Sequence, residues 1–136
     1  MAFDIVTQDF SATAEAGYTF ELILPTGEDS GAKLTILGDM SKTVRAYSRK
    51  KIKEFQLQQQ TARRKGKEVE PSIEELEEMA VEQALVRLIG WEGITEKGKV
   101  VPFSKEKAQE ILTAHPWIRE AIIDEAADVT NFRPKV

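Results

Sequence analysis

His115 is the one histidine in the chain, and there is no cysteine to join it. A zinc site would have to lean on carboxylates, which zinc rarely uses alone. His115 precedes Pro116 at a helix junction, so it reads as a capping or solvated residue. Glu74, Glu75, Glu77, Glu78 and Glu82 form the densest acidic cluster. Carboxylates that share general acid–base work face each other across a cleft, whereas helical neighbours form a solvated face. Gly27 and Gly31 flank Glu28 and Asp29, which would repel a phosphate, and no Gly-Lys-Ser/Thr follows them. Gly90, Gly93 and Gly98 bracket a turn-rich stretch where backbone geometry is reason enough for glycine. There is no serine elbow. The absence of cysteine excludes disulfides, thiolate metal sites, iron–sulfur clusters and thiol nucleophiles. The sequence therefore predicts no enzyme, no metal and no cofactor, and leaves binding.

Charge is the more informative chemistry. Residues 42–67 hold ten basic side chains and one acidic one, Glu54, while residues 68–82 hold seven acidic side chains and no basic one. The formal total of −4 hides this division. The two segments could fold as an antiparallel helical pair and neutralise each other, or one or both could face a partner, another copy or an acidic polymer. Nucleic acid is the obvious polymer, since such a segment would release counterions from several phosphates. Against it, Tyr47 and Phe55 fall on the apolar stripe and are expected in the core, and no groove-reading motif is present.

The elements that must position these charges follow from local pattern. Tyr18 to Leu24 and Lys33 to Leu37 are β-rich runs around a Gly/Pro/Asp loop, which predicts a hairpin. Nothing before Tyr18 shows a sustained period. Asp39 or Ser41 caps a helix from Lys42 to about Arg64, with Val44, Tyr47, Phe55 and Ala62 on one side and Ile52 flanking. Such a helix spans about 34 Å, against about 37 Å for the whole globule, so its far end should project. Residues 56–70 read as a mobile basic connector. Ser72 and Glu75 form a capping box for a helix with Ile73, Leu76, Ala80, Ala84 and Leu88 along one face, widened by Val81, Leu85 and Ile89 so that its second half should be deeply buried, and it stops at Gly90. A short β/turn element over residues 91–103 follows, then a helix from Ser104 to Ala114 and another from Pro116 to about Asp128. Residues 129–136 read as a loose tail.

The chain of 136 residues is 41% hydrophobic, enough for one domain over residues 1–136 and too much for global disorder. The class predicted is α+β, mainly α: an N-terminal hairpin packed on a bundle of about four helices. The N-terminus lacks the pattern of a secretory signal, and no apolar run approaches the roughly 20 residues that span a bilayer. A soluble intracellular protein is expected.

A succession in the C-terminal half carries a family likeness. Leu88-Ile89-Gly90-Trp91-Glu92-Gly93-Ile94 leads into Gly98-Lys99-Val100-Val101-Pro102-Phe103-Ser104, followed by Pro116-Trp117-Ile118 and Asn131-Phe132. It resembles the tail assembly chaperones of long-tailed (siphovirus-type) bacteriophages and prophages, with Trp91, Gly93, Gly98, Pro102, Phe103, Ser104, Pro116 and Trp117 as the signature positions. Trp91 is expected to anchor the end of its helix. The resemblance implies a protein that binds the tape-measure protein, keeps it soluble and helps recruit tail-tube subunits. It also implies action in the host bacterial cytoplasm, absence from the finished particle, and a longer frameshifted form departing near residues 131–136. Joined to the charge map, it places partner steering on Arg45, Arg49, Lys50, Lys53, Arg63 and Arg64, with homo-oligomerisation possible. The rival reading is a nucleic-acid-associated packaging or head-completion adaptor using residues 42–67.

Overall fold

Alternation decides the sheet. In β1 (Tyr18–Ile23) Phe20 and Leu22 are buried while Thr19 and Glu21 face water, and β2 (Asp29–Ile36) buries Ala32, Leu34 and Ile36. The two pair antiparallel with Phe20 opposite Leu34, so both apolar sets fall on one face. The hairpin and the mainly helical α+β class are as predicted. The computed structural model describes residues 2–68 and 70–134.

The predicted hairpin is part of a larger sheet. The helix expected to reach Gly90 ends earlier, as α3 (Ile73–Arg87), and β3 (Leu88–Glu92) begins at the next residue. β3 pairs antiparallel with β2, Leu88 opposite Ile36 and Trp91 opposite Leu34, which makes β2 the central strand. The helix can stop there because its last carbonyls find donors elsewhere. Leu37 N donates to Arg87 O at 2.8 Å, and Lys105 Nζ donates to Leu85 O and to Leu88 O at 2.6 Å each. Burial at this junction pulls the Lys105 ammonium below the usual lysine range. A short apolar run such as residues 84–91 suits helix and strand alike, and only tertiary pairing decides between them. Trp91 is therefore a strand residue rather than a helix anchor.

Against the inner face of the sheet lie the second half of α3, through Val81 and Ala84, then α4 (Lys105–Ala114), through Ala108 and Leu112. α5 (Pro116–Ala127) adds Ile118, Ile122 and Ala126. Ser72 and Ser104 cap α3 and α4 as expected, accepting from Glu75 N at 3.2 Å and Lys107 N at 3.1 Å. The β/turn element is a small hairpin of β4 (Thr95–Glu96) and β5 (Lys99–Val100). Lys97 and Gly98 both have positive φ, 52° and 81°, as a two-residue type I′ turn requires.

Two regions without a periodic signal are ordered by contact. α1 (Phe10–Ala16) is too short to show a period, yet it buries Ala14 and is capped by Asp9, whose Oδ1 accepts from Ala12 N at 3.0 Å. Its Glu15 carboxylate accepts from Thr43 N and from the Thr43 hydroxyl, covering free donors at the start of α2 (Lys42–Arg64). At the other end, the tail expected to be loose from residue 129 turns into a 3₁₀ helix (Val129–Phe132) with Phe132 buried. Phe132 sits edge-on to Tyr18, centroids 5.8 Å apart, and the Thr13 hydroxyl donates to its carbonyl. Gly38 makes room: a Cβ there would lie 2.9 Å from that of Ala14 and 3.0 Å from the Phe132 ring. One aromatic ring with a pocket waiting for it is thus enough to fix the tail to residue 132. Lys135 and Val136 of the tail, and Val69 of the connector, lie outside the described residues.

Phe132→Ala should lower the unfolding free energy by about 3 kcal/mol in urea denaturation, the usual result of emptying an aromatic core site. Lys105→Met, which keeps the stem but removes the donor for two carbonyls, should cost about 1–2 kcal/mol by the same measurement. The Glu15 carboxyl is held below the usual carboxylate range, first by the Thr43 hydroxyl and then by the Thr43 amide. Its contribution is complete above the ordinary carboxylate pKa and fades as pH falls through the lowered one. Glu15→Gln should therefore reduce the melting temperature at pH 7 and change it less near the acid end of a pH series.

Candidate partner interface

α2 begins in the core and leaves it. Ser41, fully buried, caps it by accepting from Val44 N at 3.2 Å, and Val44 is buried beneath the first turn. Farther along the helix the apolar side chains lie open to water: Ile52 is 57% exposed, Phe55 48% and Leu57 65%. Phe55 is thus not a core residue as its place on the stripe suggests, and Tyr47 is half-buried, with Lys51 Nζ 5.7 Å from its ring centre. The stripe outruns the globule that would cover it.

α3 repeats this arrangement in reverse. Its second half is packed, but at its start Ile73 is 75% exposed and Leu76 and Met79 are about half exposed. Between the helices, α2 ends in a left-handed turn at Gly66, with Gly66 N donating to Arg63 O at 3.1 Å and Lys67 N to Ala62 O at 2.8 Å. The outer parts of α2 and α3 thus make an arm, each helix rooted at one end. Residues 56–64, expected within a connector, continue α2 as helix.

The mutual neutralisation that the charges allowed is slight. Among the described residues, Lys51 with Glu82 at 2.8 Å is the single ion pair between the basic and acidic helices. The hydrogen bond to Glu82 raises the Lys51 ammonium above its ordinary range, while burial, followed by the Glu82 charge, raises the Tyr47 phenol. Arg45, Arg49, Lys50, Lys53, Arg63 and Arg64 are all exposed. Arg45 is tied back to α1, its Nη2 donating to Ser11 Oγ at 2.9 Å. Arg45, Arg49 and Lys53 step by four and share a flank, Arg63 returns to that flank, and Lys50 lies on another. From Arg45 to Arg64 the array runs about 29 Å along the axis. The six residues do not converge on a pocket. They form a linear array along α2, with exposed apolar side chains on the same helix.

The signature positions do structural work outside the arm. Trp91 Nε1 donates to Val101 O at 2.8 Å, and its ring meets Phe103 edge-on at 4.8 Å. At Gly93 the backbone passes so close to β2 that an added Cβ would stand 2.4 Å from Gly31 O. Gly98 makes the tight turn, exposed Pro102 ends the β element before Ser104 caps α4, and Pro116 starts α5. Trp117, half-buried, lines a groove of about 490 Å³ with Leu22, Ile94 and Ile111. Its rim cation, Lys107, is held by Glu96 at 2.8 Å and Glu110 at 3.2 Å. His115 is exposed at the α4–α5 junction, where its backbone rather than its ring closes the turn. Among the described residues no group of three His, Asp or Glu is placed to hold a metal ion.

Sequence reasoning found the charges of the arm but missed its exposed apolar residues. The available signal was composition: Ile52, Phe55 and Leu57 stand among lysine and glutamine, and Ile73 and Leu76 among glutamates, with no second stripe nearby to cover either set.

No curated protein and no solved structure matches the chain. Among the described residues no helix is long and apolar enough to cross a membrane. Residues 39–136 match the family model described as YdaY prophage protein, a stretch that includes the whole arm, β3, the small hairpin, α4 and α5. That match takes in well over half of the sequence, and the chain belongs to the YdaY prophage protein family.

Proposed function

We propose that the protein acts without catalysis as a phage tail assembly chaperone, binding and solubilising the tape-measure protein and helping to recruit tail-tube subunits. On this reading it works in the host cytoplasm and is left out of the finished particle. Membership of a prophage family supports a phage-associated role. The observation that carries the finer reading is the arm, where exposed Ile52, Phe55 and Leu57 on α2 stand beside a basic flank. A long helical client exposes an amphipathic face before assembly, and such faces aggregate unless covered. Phe55 with Ile52 beside it on one side of α2, and Leu57 among the cations on the other, offer apolar anchors rimmed by charge for helix-to-helix contact, and many weak copies along one client gain avidity without tight individual binding.

One observation favours a second reading, that of a nucleic-acid-associated packaging or head-completion adaptor. Phe55 is half exposed on the basic helix, and a surface aromatic among cations can stack on bases.

Co-expression with the tape-measure protein encoded by the same prophage is expected to keep that protein soluble and to co-purify it. The triple variant Ile52→Ser, Phe55→Ser, Leu57→Ser, which alters only exposed positions, should lose it. A tape-measure protein that stays insoluble, with nothing co-purifying, would falsify the chaperone reading. Titration of labelled duplex DNA should show no binding even at low salt; binding with a steep salt slope would favour the adaptor instead.

A further inference from the structure

We infer that the arm is an interface between two copies of this chain, the basic α2 of one lying along the acidic first half of α3 of the other, and the reverse. The basic segment has a nine-charge excess of cations and the acidic one seven carboxylates, in immediate succession. Within one copy the Lys51–Glu82 contact is the single ion pair between them among the described residues. Arg63 and Arg64 at the end of α2, and Glu74, Glu75, Glu77 and Glu78 at the start of α3, all face water. The apolar residues share this division. Ile52, Phe55 and Leu57 are exposed beside cations, while Ile73, Leu76 and Met79 are exposed beside carboxylates.

This pattern selects the occupant. An acidic amphipathic helix would suit α2 and be repelled by α3, and a basic one would do the opposite. A second copy satisfies both together, because a two-fold arrangement repeats every contact: the cations of one meet the carboxylates of the other at two symmetric places. Leu57, which lies among the cations of α2, then leaves water against the exposed apolar residues of the partner's α3, and the charges fix which helix lies on which. The inference needs only the charges and exposures of the arm and does not rest on the tail-assembly reading.

Sedimentation equilibrium of the full chain tests it. At about 50 mM salt a reversible dimer is expected, shifting towards monomer at about 500 mM as the charges are screened. Arg63→Glu with Arg64→Glu, and separately Glu77→Lys with Glu78→Lys, should each weaken self-association at least about tenfold, the effect of placing like charges across the contact. These residues are exposed, so far-UV circular dichroism and melting temperature should stay near those of the wild type. Mixing the two reversed proteins should restore a mixed dimer. A wild-type chain that stays monomeric at low salt, a dimer indifferent to both reversals, or folded reversed partners that fail to associate would each overturn the inference. The dimer would cover the apolar residues that the client reading uses, so a soluble client is expected to displace it; a wild-type chain that is monomeric yet keeps the tape-measure protein soluble would overturn this inference alone.

Discussion

The end of α3 is the point on which the molecule turns. A helix that runs straight into a strand must dispose of several carbonyls with no loop in which to do it. Here the backbone amide of Leu37 takes one, and the Lys105 ammonium takes two more. Arg87, its side chain almost covered, reaches Asp39 Oδ1 and Gln83 O with its guanidinium. The sheet, the start of α4 and the approach to α2 are therefore clamped to the same few residues. The direction of α3 is fixed by the direction of β3, and the arm inherits its bearing from that clamp.

Within this frame the two longest helices are used unequally along their length. Val44, Val81 and Ala84 are packed to exclusion of water, whereas Leu57 and Ile73 stand in it. Apolar burial stabilises at roughly 25 cal/mol per Å². The rooted ends take nearly all of that gain, and the outer ends forgo it. Each outer part extends a helix already nucleated at its packed end, so every added residue gains a backbone hydrogen bond without a second nucleation cost. Exposed apolar surface and folding core are thus separated along the same helices.

Much of this was legible beforehand. Ser72 with Glu75, Ser104, and Pro116 at a first helical position are local signals, and local chemistry settles them. The charge division and the projection of α2 were also readable, since one needs only counting and the other only length. Three features were not. Residues 88–92 carry an apolar pattern that suits helix or strand, and the free edge of β2 chose strand. Phe132 depends on a space left by Gly38 that no pattern near residue 132 announces. Phe55 looked like core because periodicity tells which side of a helix is apolar, not whether anything lies against it. Of the site, the ionic half could be read and the apolar half could not, for that same reason.

The hydrogen bond from Leu37 to Arg87 has a bearing on how such a molecule can vary. It closes the base of a long excursion, out along α2 and back along α3, between two strands that are neighbours in the sheet. Whatever happens beyond that neck does not alter the pairing of β2 with β3 below it. Whole helical turns could be gained or lost near residues 56–72 at little entropic expense, since closing a somewhat longer loop adds only a fraction of a kcal/mol. The span of the arm is in this sense an adjustable dimension. Related chains could match longer or shorter counterparts while keeping one core unchanged.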